Sequence, residues 1–312
     1  MARASTGPRR GAGVALLERE PELSALGDLV AAAASARPGL MLIEGPAGIG
    51  KTNLLAEVRR LAADTGVRVL AARGAQLEQA FPFGIVRQLF EAVVVGDQKP
   101  LRGAAAAARQ AVHPPVREAS AAPGSADASF AILHALYWLT VNLAADGPLV
   151  LAIDDLHWCD EPSLRYLGYL VRRLEGLSAT VIGTTRPLER LPQAGVLADI
   201  ARDPLAVTLR PRPLSLDATA LLVSELLDEE ADARFAAACH TATGGSPLLL
   251  TELLKTLQAD VVRPTADAVP VVAEVGPRAV SRAVLVRLAR LSADAGRLAR
   301  AAAVLGDGAE VQ

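Results

Sequence analysis

One stretch near the N-terminus limits the fold more than any other part of the sequence. An apolar run of strand length, Leu40–Ile43, lies just before Gly45–Thr52, whose sequence GPAGIGKT fits the pattern G-x-x-x-x-G-K-[ST]. The residues that follow place Leu54, Leu55 and Val58 on one face of a helix. A strand, a glycine-rich loop and a helix in this order predict a phosphate-binding P-loop rather than an ordinary turn.

The residue types of this loop suit the binding of phosphate groups. Glycines let the backbone wrap closely around phosphate oxygens, and the following helix adds the positive end of its dipole. Lys51 would place a mobile cation on the β- and γ-phosphates, and the Thr52 hydroxyl would bind Mg²⁺. We therefore predict ATP or ADP with Mg²⁺ as the cofactors. The predicted nucleotide-binding residues of the loop are Gly45, Pro46, Ala47, Gly48, Ile49, Gly50, Lys51, Thr52 and Asn53.

A second motif lies at the end of a later strand. Leu149–Ile153 has the pattern of a buried strand and is followed by Asp154 and Asp155. Ligands of open α/β sheets bind at the carboxyl ends of the strands, so both carboxylates are expected near the P-loop. Asp154 is predicted to hold Mg²⁺ through water. Asp155 is predicted to polarise the water that attacks the γ-phosphate.

Arginines at two places could take part in the same chemistry. Arg186 follows the next strand, at the same edge of the sheet, where it could reach the γ-phosphate and sense its presence. Arg172 and Arg173, late in the preceding helix, could serve a neighbouring subunit, but the pattern favours a solvated helix end. The predicted catalytic residues are therefore Lys51, Asp155 and Arg186.

The arrangement of apolar runs predicts an α/β protein. Strand-like runs alternate with helical patterns, which favours a parallel five-stranded sheet with helices on both faces. After Leu216 the strand signal stops and an all-α lid is expected. The predicted strands are Leu40–Ile43, Val67–Ala72, Leu149–Ile153, Ala179–Thr184 and Leu205–Leu209. The predicted helices include Leu16–Ala34 before the sheet, Asp217–Leu227, Asp232–Thr241 and Pro247–Gln258 in the lid, and Val280–Leu305 after a linker at Ala259–Val275.

Composition excludes several other classes of protein. The net charge is -2, only 3% of residues are aromatic and no basic tract occurs, which argues against nucleic-acid binding by this segment. Cys159 and Cys239 lie far apart without metal-ligand spacing, so neither a zinc site nor a disulfide framework is expected. Two reduced thiols suit a cytoplasmic location, which we therefore expect. The uncharged run Ser129–Ala145 ends at Asp146, short of the roughly 20 apolar residues of a membrane-spanning helix.

The motifs occur in an order that resembles one family. In chain order they are Leu17–Glu22, GPAGIGKT, ARGAQLEQAFPFGIVRQLFE, LAIDDLHWCDEPSL, GTTRP and TATGGSPLLLTELL. This set resembles the ATPase module of the signal transduction ATPases with numerous domains (STAND). Within that class it is most similar to the large LuxR-type transcriptional regulators of actinobacteria, and the resemblance extends from about Leu16 to the end of the chain.

The resemblance implies a nucleotide switch in which ATP or ADP is held between the α/β domain and the lid. It implies that Arg19 flanks the adenine and that Pro247, in a Gly-x-Pro element, contacts the base from the lid. Glu18 stands where the family motif often has Gly. The resemblance also implies self-association on ATP binding, and DNA binding only through a C-terminal domain that this chain lacks.

The expected organisation follows from the motifs and the resemblance together. It comprises a disordered leader (1–15), a P-loop NTPase domain (16–212), a helical lid (213–260), a linker (261–279) and the start of a winged-helix region (280–312). The chain is thus expected to stop before the sensor and helix-turn-helix regions. The expected function is a slowly hydrolysing ATP switch of a LuxR-type regulator.

Three other functions remain open on the sequence. The chain could be a P-loop kinase that transfers phosphate to a small molecule, although the paired carboxylates and the helical region after the sheet argue against it. It could also be a non-catalytic scaffold that holds ADP permanently. The third alternative is a ring-forming AAA+ ATPase that remodels DNA or protein.

Overall fold

The computed structural model describes residues 16–113, 126–190, 195–276 and Arg297. The chain divides into two compact units, Met1–Pro211 and Arg212–Gln312. The predicted leader, 1–15, lies outside the described residues, as does the predicted winged-helix region apart from Arg297.

The first unit is built on a five-stranded sheet, as predicted. The strands lie in the order β2-β3-β4-β1-β5, and every neighbouring pair runs parallel. The two central strands that carry the predicted motifs, β1 and β3, are separated by β4. The strands are β1 (Gly39–Glu44), β2 (Arg68–Arg73), β3 (Leu149–Asp154), β4 (Ala179–Thr185) and β5 (Ala206–Leu209).

Helices cover both faces of this sheet because alternate residues of each strand point to opposite sides. Met41 and Ile43 of β1 pack in one apolar cluster with the two helices nearest in sequence, α1 (Glu20–Ala34) and α2 (Lys51–Ala63). Leu40 and Leu42 belong to the larger cluster on the other face. The helices of that face are α3 (Gly84–Gly96), α4 (Arg109–Val112), α5 (Ala126–Ala145), α6 (Glu161–Val171) and α7 (Gly195–Ala201).

The first helix begins later than the sequence predicts. Residues 16–19 form a turn, and α1 begins at Glu20 instead of Leu16. Glu18 adopts a φ of 54°, in the left-handed region that interrupts a right-handed helix. The turn is thus formed by a residue with a side chain, in a conformation that costs roughly 1–2 kcal/mol relative to the right-handed one.

The longest helix of the first unit is α5, with 20 residues. It packs its buried side chains, among them Leu136 and Leu139, in the larger apolar cluster. In the described part of the chain, no helix combines the length and the apolar character that crossing a membrane requires.

The second unit begins with three helices. They are α8 (Leu216–Leu227), α9 (Ala233–Thr243) and α10 (Pro247–Ala259), close to the predicted bounds. Side chains of Ser215 and Asp232 accept hydrogen bonds from backbone N–H groups of the first turns of α8 and α9, as N-caps do.

The predicted linker after α10 is partly helical instead. A 3₁₀ turn at Ala266–Ala268 continues into helical backbone over 269–276. The N–H of Asp232 donates to the carbonyl of Pro264, and Val272 is buried. These contacts explain why the segment packs on the second unit. The prolines of the segment gave no indication of such packing.

Candidate functional site

The P-loop has the local conformation that its glycines were expected to permit. Gly48 and Gly50 have φ values of 87° and 102°, a region that favours glycine, and α2 begins at Lys51 directly afterwards. The last residue of β1 precedes the loop, and the Gly45 N–H donates to the carbonyl of Thr185 at the end of β4 (3.1 Å). The loop therefore starts at the carboxyl edge of the sheet, where ligands of such sheets bind.

The two predicted magnesium ligands lie together at this edge. The Thr52 hydroxyl is 3.0 Å from Oδ2 and 3.3 Å from Oδ1 of the buried Asp154 carboxylate. These residues are separated by 102 positions in sequence and meet because β1 and β3 are parallel strands of one sheet. Hydroxyl and carboxylate oxygens are hard donors that suit Mg²⁺, which completes its shell with water and phosphate oxygens.

Lys51 is nearly buried at the mouth of the loop, with 7% of its surface exposed. Its Nζ donates to the carbonyl oxygens of Gly45 (2.7 Å) and Pro46 (2.9 Å). Phosphate oxygens would give this ammonium group a charged acceptor in place of neutral ones, and charge-assisted hydrogen bonds are the stronger kind. The geometry thus suits the predicted role.

Asp155 follows the strand in a left-handed conformation, with a φ of 55°. Its N–H donates to the hydroxyl of Thr184 (2.8 Å), and that hydroxyl donates to Oδ1 of Asp154 (2.6 Å). Burial, and then the neighbouring charge of Asp154, raise the pKa of Asp155, while Arg73 and Lys51 oppose the rise. A carboxylate with a raised pKa is a better proton acceptor than a free one, as water activation requires.

Two residues that sequence reasoning missed complete the surroundings of the carboxylates. Thr184, at the end of β4, bridges Asp154 and Asp155 as described above. Arg73, at the end of β2, lies across both carboxylates, with Nε 3.7 Å from Asp154 and Nη2 3.7 Å from Asp155. Arg73 is the last residue of β2 and Thr184 the last but one of β4, so the sequence places both near the carboxyl edge, but their contacts with the carboxylates depend on the order of the strands.

The backbone at Arg73 is held firmly by its neighbours. The side-chain amide of Gln88 accepts from the Arg73 N–H (2.8 Å) and donates to the Arg73 carbonyl (3.2 Å). The next residue, Gly74, donates its N–H to the carbonyl of Asp154 (2.8 Å). A methyl group at Gly74 would lie only 2.4 Å from the carbonyl oxygen of Asp155.

His157 and Arg186 lie near the carboxylates. Both ring nitrogens of His157 are buried without a hydrogen-bond partner in the described residues. Burial, and then the positive charge of Arg186, lower the pKa of His157 to about 4, so the ring is neutral at pH 7. The Arg186 guanidinium lies 5.5 Å from the centre of the Trp158 ring. The structure thus brings Arg186 to the same edge as Asp155, as predicted.

The other predicted nucleotide-binding residues differ in their positions relative to the P-loop. Arg19 is buried, and its guanidinium donates to the carbonyls of Glu18 (2.9 Å) and Ile49 (3.4 Å), so it touches the P-loop. Asn53 is exposed in the first turn of α2. Pro247 is the first residue of α10, in the second unit, so the P-loop unit does not include it.

Arg172 and Arg173, the arginines considered for a neighbouring subunit, end α6 with partners of their own. Arg172 lies 3.9 Å from Asp199, and the Arg173 guanidinium lies 3.7 Å from the centre of the Tyr169 ring. These contacts agree with the interpretation as an exposed helix end.

Comparison with known proteins identifies the family. The model of the AAA ATPase domain family matches residues 15–182, more than half of the chain. The chain belongs to this family. As an AAA ATPase domain it is a P-loop nucleotide-binding ATPase, and the matched region includes the P-loop, Asp154 and Asp155.

A curated relative resembles nearly the whole chain. An uncharacterized protein of Rhizobium meliloti (strain 1021) is 29% identical over 93% of this chain. The chain spans 30% of the length of that relative.

Two solved structures are similar to this AAA ATPase domain. The ORC2 protein of Aeropyrum pernix, solved as ADPNP and ADP complexes, is similar over 86% of this chain and 68% of its own, with 16% identity and a TM-score of 0.50. A STAND protein with a tetratricopeptide repeat sensor from Pyrococcus horikoshii matches 79% of this chain and 32% of its own, with 19% identity and a TM-score of 0.45. At 16% identity the likeness to the ORC2 protein concerns the fold alone.

Proposed function

We propose that this AAA ATPase domain is an ATP/ADP switch that hydrolyses ATP slowly. The observation that carries the proposal is the contact between the Thr52 hydroxyl and the Asp154 carboxylate at 3.0 Å. Asp155 is the next residue in the chain. A P-loop alone binds nucleotide, whereas hydrolysis also needs a metal-positioning carboxylate and a group that orients water. In the proposal, the P-loop, Asp154 and Asp155 fill these three roles.

Each side chain has a distinct role in the proposal. The P-loop backbone from Gly45 and the Lys51 ammonium hold the phosphates, while Thr52 and Asp154 hold Mg²⁺. Mg²⁺, when bound, neutralises charge that develops on the phosphate oxygens. Asp155 accepts a proton from the attacking water.

Slow turnover is expected because the product that matters is a conformational state. A switch needs each nucleotide state to persist long enough to be sensed by a partner.

The order of motifs supports a regulatory setting of the LuxR-type STAND kind. In this setting Arg186 senses the γ-phosphate, Arg19 flanks the adenine, Pro247 of the lid (213–260) contacts the base, and ATP binding promotes self-association in the cytoplasm. The leader (1–15), the P-loop NTPase domain (16–212), the linker (261–279) and the winged-helix start (280–312) keep their proposed bounds. DNA would be bound through a domain outside this chain.

The first test separates binding from hydrolysis. Lys51→Ala is expected to abolish binding of a fluorescent ATP analogue, whereas Lys255→Ala, which removes an exposed lysine of α10, leaves it unchanged. Asp155→Ala is expected to bind the analogue normally but to release no phosphate from ATP. Asp146→Ala, in the turn before β3, is the matched control.

The same assays distinguish the alternatives. Phosphate release in water without any acceptor excludes a small-molecule kinase. ADP that neither exchanges nor turns over would indicate a scaffold, and ATP-dependent hexamers that hydrolyse rapidly would indicate a remodelling ATPase. Normal ATP binding by Lys51→Ala would contradict the proposal, because it would show that the P-loop lysine does not hold the phosphates.

A further inference from the structure

Glu44, the last residue of β1, is a buried carboxylate whose two oxygens serve different segments of the chain. Only 5% of its surface is exposed. Oε1 accepts a hydrogen bond from the N–H of Leu188 (3.1 Å), and Oε2 accepts from Nε (3.2 Å) and Nη2 (3.0 Å) of Arg210. A buried carboxylate needs partners for its charge, so the folded protein should keep these hydrogen bonds.

The three connected residues lie at or just after the carboxyl ends of three different strands. Glu44 directly precedes Gly45, the first residue of the P-loop. Leu188 lies two residues after Arg186, the proposed γ-phosphate sensor. Arg210 follows β5 and lies two residues before Arg212, where the second unit begins.

The turn that carries Arg186 is attached to the start of the P-loop at both of its ends. Before Arg186, the carbonyl of Thr185 accepts from the Gly45 N–H (3.1 Å). After it, the N–H of Leu188 donates to Glu44. If the turn itself moves when Arg186 binds a γ-phosphate, the Leu188 N–H passes that movement to Glu44, whose other oxygen holds Arg210.

We propose that Glu44 is a positioning residue that couples the Arg186 turn to Arg210, so that the presence of the γ-phosphate alters the last residues of the first unit. The inference rests on the proposed ATP/ADP switch. ATP, which reaches Arg186, engages this coupling, whereas ADP does not. A coupling of this kind appears as a difference in free energy between the two nucleotide states.

Two substitutions interrupt the coupling at different points. Arg210→Gln removes the guanidinium but keeps a side-chain amide that can donate to Oε2 of the buried Glu44, so it should lower the stability and still leave the fold intact. Glu44→Gln keeps one oxygen for the Leu188 N–H but turns an amide N–H₂ group towards Arg210. Arg60→Gln is the matched control, because Arg60 is an exposed arginine of α2 that pairs with Glu57 and contacts neither segment.

The experiment measures two quantities for each variant. The first is the affinity for a non-hydrolysable ATP analogue and for ADP. The second is amide hydrogen exchange over 205–211 in the two nucleotide states. We expect wild type and Arg60→Gln to show slower exchange at 205–211 with the ATP analogue than with ADP. Arg210→Gln should lose this difference while both affinities stay within about threefold of wild type.

Glu44→Gln should also lower the ratio of ATP-analogue to ADP affinity by about tenfold, within the usual range of coupling between sites, and leave ADP affinity within about threefold. An equal loss of both affinities in Glu44→Gln, or a full exchange difference in Arg210→Gln, would overturn the inference and assign Glu44 a purely structural role. A wild-type chain that binds neither nucleotide would instead refute the proposed function itself.

Discussion

Gly74→Ala should reduce ATP hydrolysis with little effect on ATP binding. A Cβ atom at this position would lie 2.4 Å from the carbonyl oxygen of Asp155 and 3.0 Å from the carbonyl carbon of Trp158. Both are backbone atoms of the loop that carries the proposed water-activating carboxylate, so no side-chain rotation can relieve the collision. An ordinary carbon–oxygen contact is roughly 3.4 Å, so the loop must move by about 1 Å.

This displacement sets the expected magnitude. A misplacement of about 1 Å in a catalytic group reduces the rate by roughly 10²-fold. Overpacking of this kind costs about 1–3 kcal/mol, which lowers the melting temperature by roughly 2–12 °C in a unit of this size. The P-loop lies on the other side of β4 from β3, so the affinity for ATP should change by less than about threefold.

The assay compares phosphate release at saturating ATP, binding of a fluorescent ATP analogue, and thermal unfolding. Gly27→Ala is the matched control, because a Cβ at Gly27 meets no atom within 4 Å and the position lies inside α1. That substitution should leave hydrolysis unchanged and stabilise the helix by up to about 1 kcal/mol. A Gly74→Ala variant that hydrolyses ATP at the wild-type rate would refute the reasoning.

Further predictions concern titration, capping and thiol reactivity. Because the folded state raises the pKa of Asp155, the ionised carboxylate destabilises the fold. Asp155→Asn should therefore raise the melting temperature at pH 7, and the difference should shrink below the raised pKa and vanish near the ordinary pKa of an aspartate. Phosphate release by the wild type should fall over the same pH range, and a constant rate there would argue against Asp155 as the base. Asp160→Ala removes the acceptor of N–H groups from Phe83 (2.8 Å), Ile85 (3.2 Å) and Ser163 (2.9 Å), and should cost about 3 kcal/mol in chemical unfolding. An unchanged unfolding midpoint would show that other acceptors replace it. Burial raises the pKa of the Cys239 thiol to about 12 and raises that of Cys159 further, so iodoacetamide at pH 8 should label both only after unfolding, as mass spectrometry would show.

The P-loop and its metal partner could be predicted because their signals are local. GPAGIGKT specifies a loop conformation through contiguous residues, and Gly48 and Gly50 have the positive φ values that such a loop needs. Asp154 could be placed because the carboxyl ends of parallel strands share one edge of the sheet. Neither inference needed the order of the strands.

The contacts of Thr184, Arg73 and Glu44 could not be predicted, because they depend on which strands are neighbours. Thr184 bridges Asp154 and Asp155 because β4 lies between β1 and β3, with Ile153 opposite Gly183. Arg73 reaches the carboxylates because β2 pairs with β3. The order of strands arises from packing across the whole unit, and a sequence pattern of apolar runs does not encode it.

The most direct test of the central claim is the nucleotide content and turnover of the purified chain. The protein would be denatured, the released nucleotide identified, and Mg²⁺-dependent phosphate release measured for the wild type and for Asp155→Ala. The account predicts bound ADP or ATP, slow phosphate release by the wild type, and none by the variant. A chain that carries and binds no nucleotide, or a variant that releases phosphate as fast as the wild type, would contradict it.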